Sequence, residues 1–119
     1  MTFTPPYEDD PVSFEITAET DGPMPVLLLA GEMDLRAATD LREALLKTLT
    51  EGNGSVLLDL GDLSFIDSTI ISVLIMARKR ADQSNGEVRL RNVPGRIQRI
   101  LAITGIDSLF PTDGATEPA

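Results

Sequence analysis

An α/β sandwich with a largely parallel sheet is the fold class this sequence predicts, and three observations support it. Strand-like and helix-like patterns alternate in the order ββαβαβα, with a final short strand as the one open element. The strand in the middle of the chain is apolar almost throughout, as expected when helices cover both faces of a sheet. The 119 residues suit one domain, which buries roughly two-thirds of the surface of its unfolded chain.

The elements follow from periodicity. Val12-Ser13-Phe14-Glu15-Ile16-Thr17-Ala18 alternates apolar and polar, which marks a half-buried strand. After a turn at Asp21-Gly22-Pro23, the run Pro25–Gly31 reads as a more deeply buried strand and the hairpin partner of the first. Ala38, Leu41, Leu45 and Leu49 recur at spacings of three and four. They predict an amphipathic helix over about 37–51, closed by Gly52-Asn53-Gly54.

Ser55–Leu60 is a buried strand broken only by Asp59, and a second helix is predicted from Ser68 to Gln83, ending at Asn85-Gly86. Glu87–Val93 alternates as a strand near the sheet edge. Pro94 suits the first turn of a third helix with Ile97, Ile100 and Leu101 on its buried side. Gly105 ends that helix, and Leu109-Phe110-Pro111 is the candidate final strand. The folded domain is expected over 11–112, between an acidic flexible tail at 1–10 and a loose tail at 113–119.

Composition removes whole classes of chemistry. The chain holds no cysteine and no histidine, so disulfides, thiolate catalysis, imidazole bases and imidazole metal ligands are all excluded. The net charge of −9 lies entirely in the first half: residues 1–60 have 12 acids and 3 bases, residues 61–119 have 7 of each. Such a field opposes the phosphate backbone, and no direct nucleic-acid partner is expected. The longest apolar runs, Val26–Ala30 and Val73–Ala77, fall far short of the roughly 20 residues of a membrane span. The N-terminus has no basic start or long apolar core, so a cytoplasmic location and no membrane insertion are expected.

The stretch Asp62–Thr69 sets two hydroxyls, flanked by acids, where the buried strand gives way to the second helix. Helix N-termini leave backbone N–H groups unpaired and tolerate anions, so Ser68 is a plausible phosphate address. Helix capping is its other natural role, and the two are compatible. Asp34 lies at the preceding strand-to-helix junction, which places it beside Asp67 and Ser68 on the carboxyl edge of the sheet. Ile71, Leu74 and Ile75 fit the stripe that faces the sheet, which leaves Ile70 and Val73 either as an exposed docking patch or as residues covered by neighbouring helices. Asp34, Asp59, Asp62 and Asp67 raise a magnesium reading. A phosphoryl-transfer receiver would also need a lysine at a later strand end, whereas Lys47 and Lys79 lie within helices. No metal or cofactor is expected.

Four motifs in register resemble the STAS domain, in particular the single-domain bacterial anti-sigma factor antagonists. They are Gly31-Glu32-Met33-Asp34-Leu35, Leu41–Leu45, Asp59-Leu60 with Phe65–Thr69, and Arg99–Ile106 with Leu109-Phe110-Pro111. The resemblance spans nearly all of 12–112 and implies a single-domain STAS-like sandwich with a mostly parallel, mixed sheet packed by helices.

That resemblance implies that Ser68 is phosphorylated by an ATP-dependent anti-sigma factor serine kinase, with Thr69 the lesser candidate, and that a phosphatase acts on phospho-Ser68. The unphosphorylated protein would bind the kinase and release a sigma factor, with Asp34, Asp67, Ser68, Thr69, Ile70 and Val73 in the binding face. The family continues Ser-Ser/Thr-Gly-Leu-Gly, whereas this chain reads Ser68-Thr69-Ile70-Ile71-Ser72. Ile71 would take the core-facing place of the leucine, and Ile70 would reshape the docking face. A phospho-switched monomer that is not an enzyme is the main expectation, with weak self-association left open. The alternatives are a non-switching STAS subunit of a stress-sensing or transporter-ATPase complex and, more distantly, a Ser- or Asp-centred hydrolase.

Overall fold

Alternation and hairpin geometry set one edge of the sheet. In a computed structural model that describes residues 14–19 and 22–113, β1 (Phe14–Glu19) pairs antiparallel with β2 (Val26–Met33), from Phe14 opposite Gly31 to Glu19 opposite Val26. The predicted tail at 1–10, residues 114–119 of the predicted tail at 113–119, and Val12, Ser13 and Asp21 lie outside the described residues, whereas Asp113 pairs in the sheet.

The other strands join in chain order. β3 (Val56–Ile66) lies parallel to β2, β4 (Val88–Arg91) parallel to β3, and the two-residue β5 (Thr112–Asp113) parallel to β4. The five-stranded sheet thus has the order β1-β2-β3-β4-β5. Val56, Leu57 and Leu58 are all buried, so both faces are covered at the sheet centre, as the apolar run predicts.

Helix α1 (Leu35–Glu51) starts two residues before its predicted bound and buries Ala37, Leu41, Leu45, Thr48 and Leu49. Each fully buried leucine contributes roughly 1.5–3 kcal/mol relative to exposure. The helix closes where Gly54, at φ +89°, donates its N–H to Leu49 O at 2.8 Å. Helix α2 (Ser68–Gln83) packs alongside α1 and matches its predicted span. Asn85 at φ +58° turns the chain, and Gly86 donates to Ala81 O at 2.8 Å.

Three element readings need correction. The middle strand runs on to Ile66 rather than ending at Leu60, because two bulges let it continue on β2. Pro94 has an extended backbone, φ −62° and ψ 150°, so it precedes α3 (Gly95–Ile103) rather than entering its first turn. Leu109 and Phe110 are not in a strand: residues Asp107–Leu109 form a 3₁₀ turn and Phe110 is buried, and the chain rejoins the sheet at Pro111, whose carbonyl accepts from Leu90 N at 2.9 Å just before β5. Arg78 fixes that turn by donating from Nε to Leu109 O at 2.8 Å.

The stripe of α2 also differs from expectation. Ile70, Leu74, Ala77 and Ala81 are its buried residues, whereas Ile71 and Ile75 are half-buried. Ile70 is 1% exposed and therefore cannot belong to a docking patch. Spacings of four, three and four keep this set on one helical face. Its alanines leave room for close packing, which the bulkier set chosen from sequence does not.

Candidate functional site

Parallel pairing of β2 and β3 brings two strand-to-helix junctions together. Met33 is opposite Ile66, and the next residue on each strand is an aspartate that caps a helix. The Asp67 N–H donates to Met33 O at 3.3 Å, so Asp34 and Asp67 are neighbours, as expected.

Each aspartate satisfies an N–H group that its helix leaves without a partner. Asp34 Oδ1 accepts from Arg36 N at 3.0 Å, and Asp67 Oδ1 accepts from Ile70 N at 3.1 Å. The Arg36 guanidinium folds back on Asp34, with Nε 3.3 Å from Oδ1. The Arg36 backbone N–H, and then its guanidinium, hold the Asp34 carboxyl below the usual carboxylate range.

Asp67 therefore takes the capping role that competed for Ser68. Ser68 is the first residue of α2 and exposed, and its hydroxyl makes no hydrogen bond among the described residues. Thr69 follows it half-buried. The Ser68 carbonyl is the engaged group, accepting from Ser72 Oγ at 3.1 Å.

The approach to this edge is built by the two bulges in β3. Leu28 pairs with Asp59 but Ala30 with Asp62, and Gly31 pairs with Leu63 but Glu32 with Phe65. Each step places one extra residue on β3, and Gly31 sits at φ +87°, a conformation open to glycine. The buried positions accordingly run Leu60, Leu63, Ile66 at intervals of three.

Side chains supply the pairing that the bulges interrupt. Asp59 Oδ1 accepts from Gly61 N at 2.9 Å, while Oδ2 accepts from Arg91 Nε and Asn92 Nδ2, each at 3.0 Å. At the second bulge, the Ser64 carbonyl accepts from Arg96 Nη1 at 3.1 Å. Asp59 is thus committed to holding the strand.

Sequence reasoning missed two residues of this edge. Phe65 is 44% exposed and Leu35 is 70% exposed, and they stand at the ends of the segments that flank Ser68. Plain alternation would put Phe65 on the buried face with Leu63; the bulge at Ser64 turns it outward and Ile66 inward. The spacing of Leu60, Leu63 and Ile66 was the available signal. Of the predicted face, Asp34, Asp67, Ser68 and Thr69 come together, Ile70 is in the core, and Val73 is half-buried beside Thr69.

The edge presents an exposed hydroxyl at a helix N-terminus, two carboxylates and two apolar side chains. A phosphoryl group on Ser68 would meet the first amides of α2 and the repulsion of Asp34 and Asp67 together. No helix among the described residues is long and apolar enough to cross a membrane.

A family model described as "Mlab, STAS domain" matches residues 16–111. The anti-sigma-B factor antagonist of Bacillus subtilis (strain 168) is 32% identical over 89 residues, covering 75% of this chain and 81% of that protein. An anti-sigma factor antagonist from Mycobacterium paratuberculosis superposes with a TM-score of 0.76 at 21% identity, over 89% of this chain and 90% of that one. The anti-sigma factor antagonist SpoIIAA in its unphosphorylated form gives 0.72 at 19% identity, over 87% and 90%. The phosphorylated form of the Bacillus SpoIIAA gives 0.66 at 20% identity, over 87% and 93%.

Proposed function

This chain belongs to the STAS domain family, and from that premise we propose that it is an anti-sigma factor antagonist switched by phosphorylation of Ser68. In this reading the neutral form binds the anti-sigma factor, a serine kinase, and the sigma factor is released. The protein acts by association and performs no catalysis itself.

The observation that carries the reading is the division of labour at the start of α2. Asp67 holds the helix end, and Ser68 projects to solvent free of internal hydrogen bonds among the described residues. In the transfer step Ser68 Oγ attacks the γ-phosphorus of ATP. The new Oγ–P bond replaces the bond to the ADP oxygen, and the hydroxyl proton leaves to a base on the kinase. A phosphatase reverses the modification by directing water at the same phosphorus.

The switch is electrostatic. Phosphorylation adds about −1.5 to −2 charge at neutral pH. In the free protein, water and the first amides of α2 offset the repulsion from Asp34 and Asp67. Inside a desolvated interface the same charge lacks that hydration, and the complex dissociates. Leu35 and Phe65 are the apolar anchors of that interface, with Asp34 on its rim.

The test is a pull-down with and without ATP, followed by mapping of the phosphosite. Ser68→Ala is expected to stay bound under both conditions and Ser68→Asp to dissociate. A phosphate mapped elsewhere, or copurification with an ATPase that ignores both substitutions, would replace the switch with a constitutive subunit role.

A further inference from the structure

Thr69, next in the chain after Ser68, opens onto a groove of about 290 Å³ between α1 and α2. Thr39 and Arg42 line it from α1, and Thr69, Ser72, Val73 and Met76 line it from α2. The groove is open to solvent and lined by hydroxyl and apolar side chains, a surface that suits protein side chains.

The α2 residues stand at i, i+3, i+4 and i+7, the spacing of a helical face that a partner helix reads. This second stripe runs beside the buried one formed by Ile70, Leu74, Ala77 and Ala81. Val73 and Met76 give it an apolar floor. Methionine is unbranched and adapts its shape to whatever packs on it.

Arg42 is the charged residue of this lining, and it is exposed. Arg36, Arg78, Arg91 and Arg96 are engaged with Asp34, Asp82, Asp59 and the Ser64 carbonyl. Arg42 makes no hydrogen bond or ion pair among the described residues. It is also one of only 3 basic residues among the first 60, set against 12 acids.

We infer that the α1–α2 groove is a second part of the docking face, receiving an amphipathic helix of the anti-sigma factor with a carboxylate paired to Arg42. This rests on the antagonist reading above and names the part of the partner that lies beside Ser68. A partner complementary to Asp34 and Asp67 is basic at that edge. An acid one helical turn further along then finds a counter-charge at Arg42, the charged residue of the groove lining, and that fixes register. Within the Ser-Thr-Ile-Ile-Ser segment, Ser72 shapes this surface, whereas Ile70 turns inward.

The test uses the purified anti-sigma factor that binds Ser68→Ala, with Ser68→Ala as the background so that phosphorylation plays no part. Adding Arg42→Glu is expected to weaken binding roughly tenfold or more, chiefly through faster dissociation. Ser72→Trp, which fills the groove without altering charge, is expected to weaken it comparably. A crosslinker placed at Ser72 should capture a peptide containing Asp or Glu, and exchanging that acid for Arg should restore affinity to Arg42→Glu. Binding of Arg42→Glu and Ser72→Trp within twofold of the background, while Ser68→Asp still dissociates, would overturn the groove assignment and leave the switch standing. Failure of Ser68→Ala itself to hold the anti-sigma factor would remove both.

Discussion

The Asp67 carboxylate accepts the Ile70 amide at 3.1 Å, and this bond separates the structural duty of the α2 N-terminus from the chemistry of Ser68. Asp67→Ala should lower stability by about 1 kcal/mol, the usual value of a helix cap. Ser68→Ala should change it by less than about 0.5 kcal/mol, as exposed positions do. Urea unfolding of the two variants compares them directly, and equal losses would return the capping role to Ser68.

The exposed and buried apolar residues near Ser68 should separate by assay. Phe65→Ala and Leu35→Ala are expected to weaken capture of the anti-sigma factor while the unfolding midpoint stays nearly constant. Ile70→Ala removes a side chain that is 1% exposed, and it should cost about 2–5 kcal/mol of stability. Calorimetry paired with binding measurements checks both. A stable Ile70→Ala protein defective only in binding would put Ile70 back on the surface.

Acid should loosen the same edge. The Asp34 carboxyl is held below its unfolded value by the Arg36 N–H and guanidinium. A depressed folded pKa gives stability that is present above the unfolded value and lost as pH falls through the folded one. Melting temperatures measured from pH 5 down to pH 2 should therefore fall less steeply for Asp34→Asn, which keeps a capping oxygen, than for the natural protein. Identical slopes would show that Asp34 contributes nothing to the acid limb.

Two glycines should respond in opposite directions. A Cβ on Gly86 would overlap the backbone carbonyl of Gly54, which cannot rotate away, so Gly86→Ala should destabilise by about 1–3 kcal/mol. A Cβ on Gly95 meets nothing within 4 Å in the first turn of α3. Gly95→Ala should stabilise by about 0.4–1 kcal/mol through the unfolded chain. Thermal denaturation of the pair reads both signs.

Much of this architecture was legible because period and punctuation agreed. The span Ser68–Gln83, the hairpin, the closing Gly52-Asn53-Gly54 and the adjacency of Asp34 and Asp67 all follow from local pattern and parallel pairing. Reasoning failed where two strands had to be matched in register. Strand alternation assumes one residue against one, and β3 breaks that rule at Asp59–Asp62 and again at Leu63–Phe65. Phe65 was passed over because the strand was expected to end at Leu60. Ile70 looked exposed because three bulky neighbours made a plausible stripe, while the true one depends on how closely α1 approaches the alanines of α2.

The two bulges also make the direction of Ser68 a matter of parity. One inserted residue inverts the up-and-down sense of everything beyond it, and a second restores it. Losing a single residue between Asp59 and Ile66 would deliver the downstream helix upside down, whereas losing one from each bulge would keep its sense. The orientation of Ser68 is thus written as an even count, several residues before the hydroxyl itself.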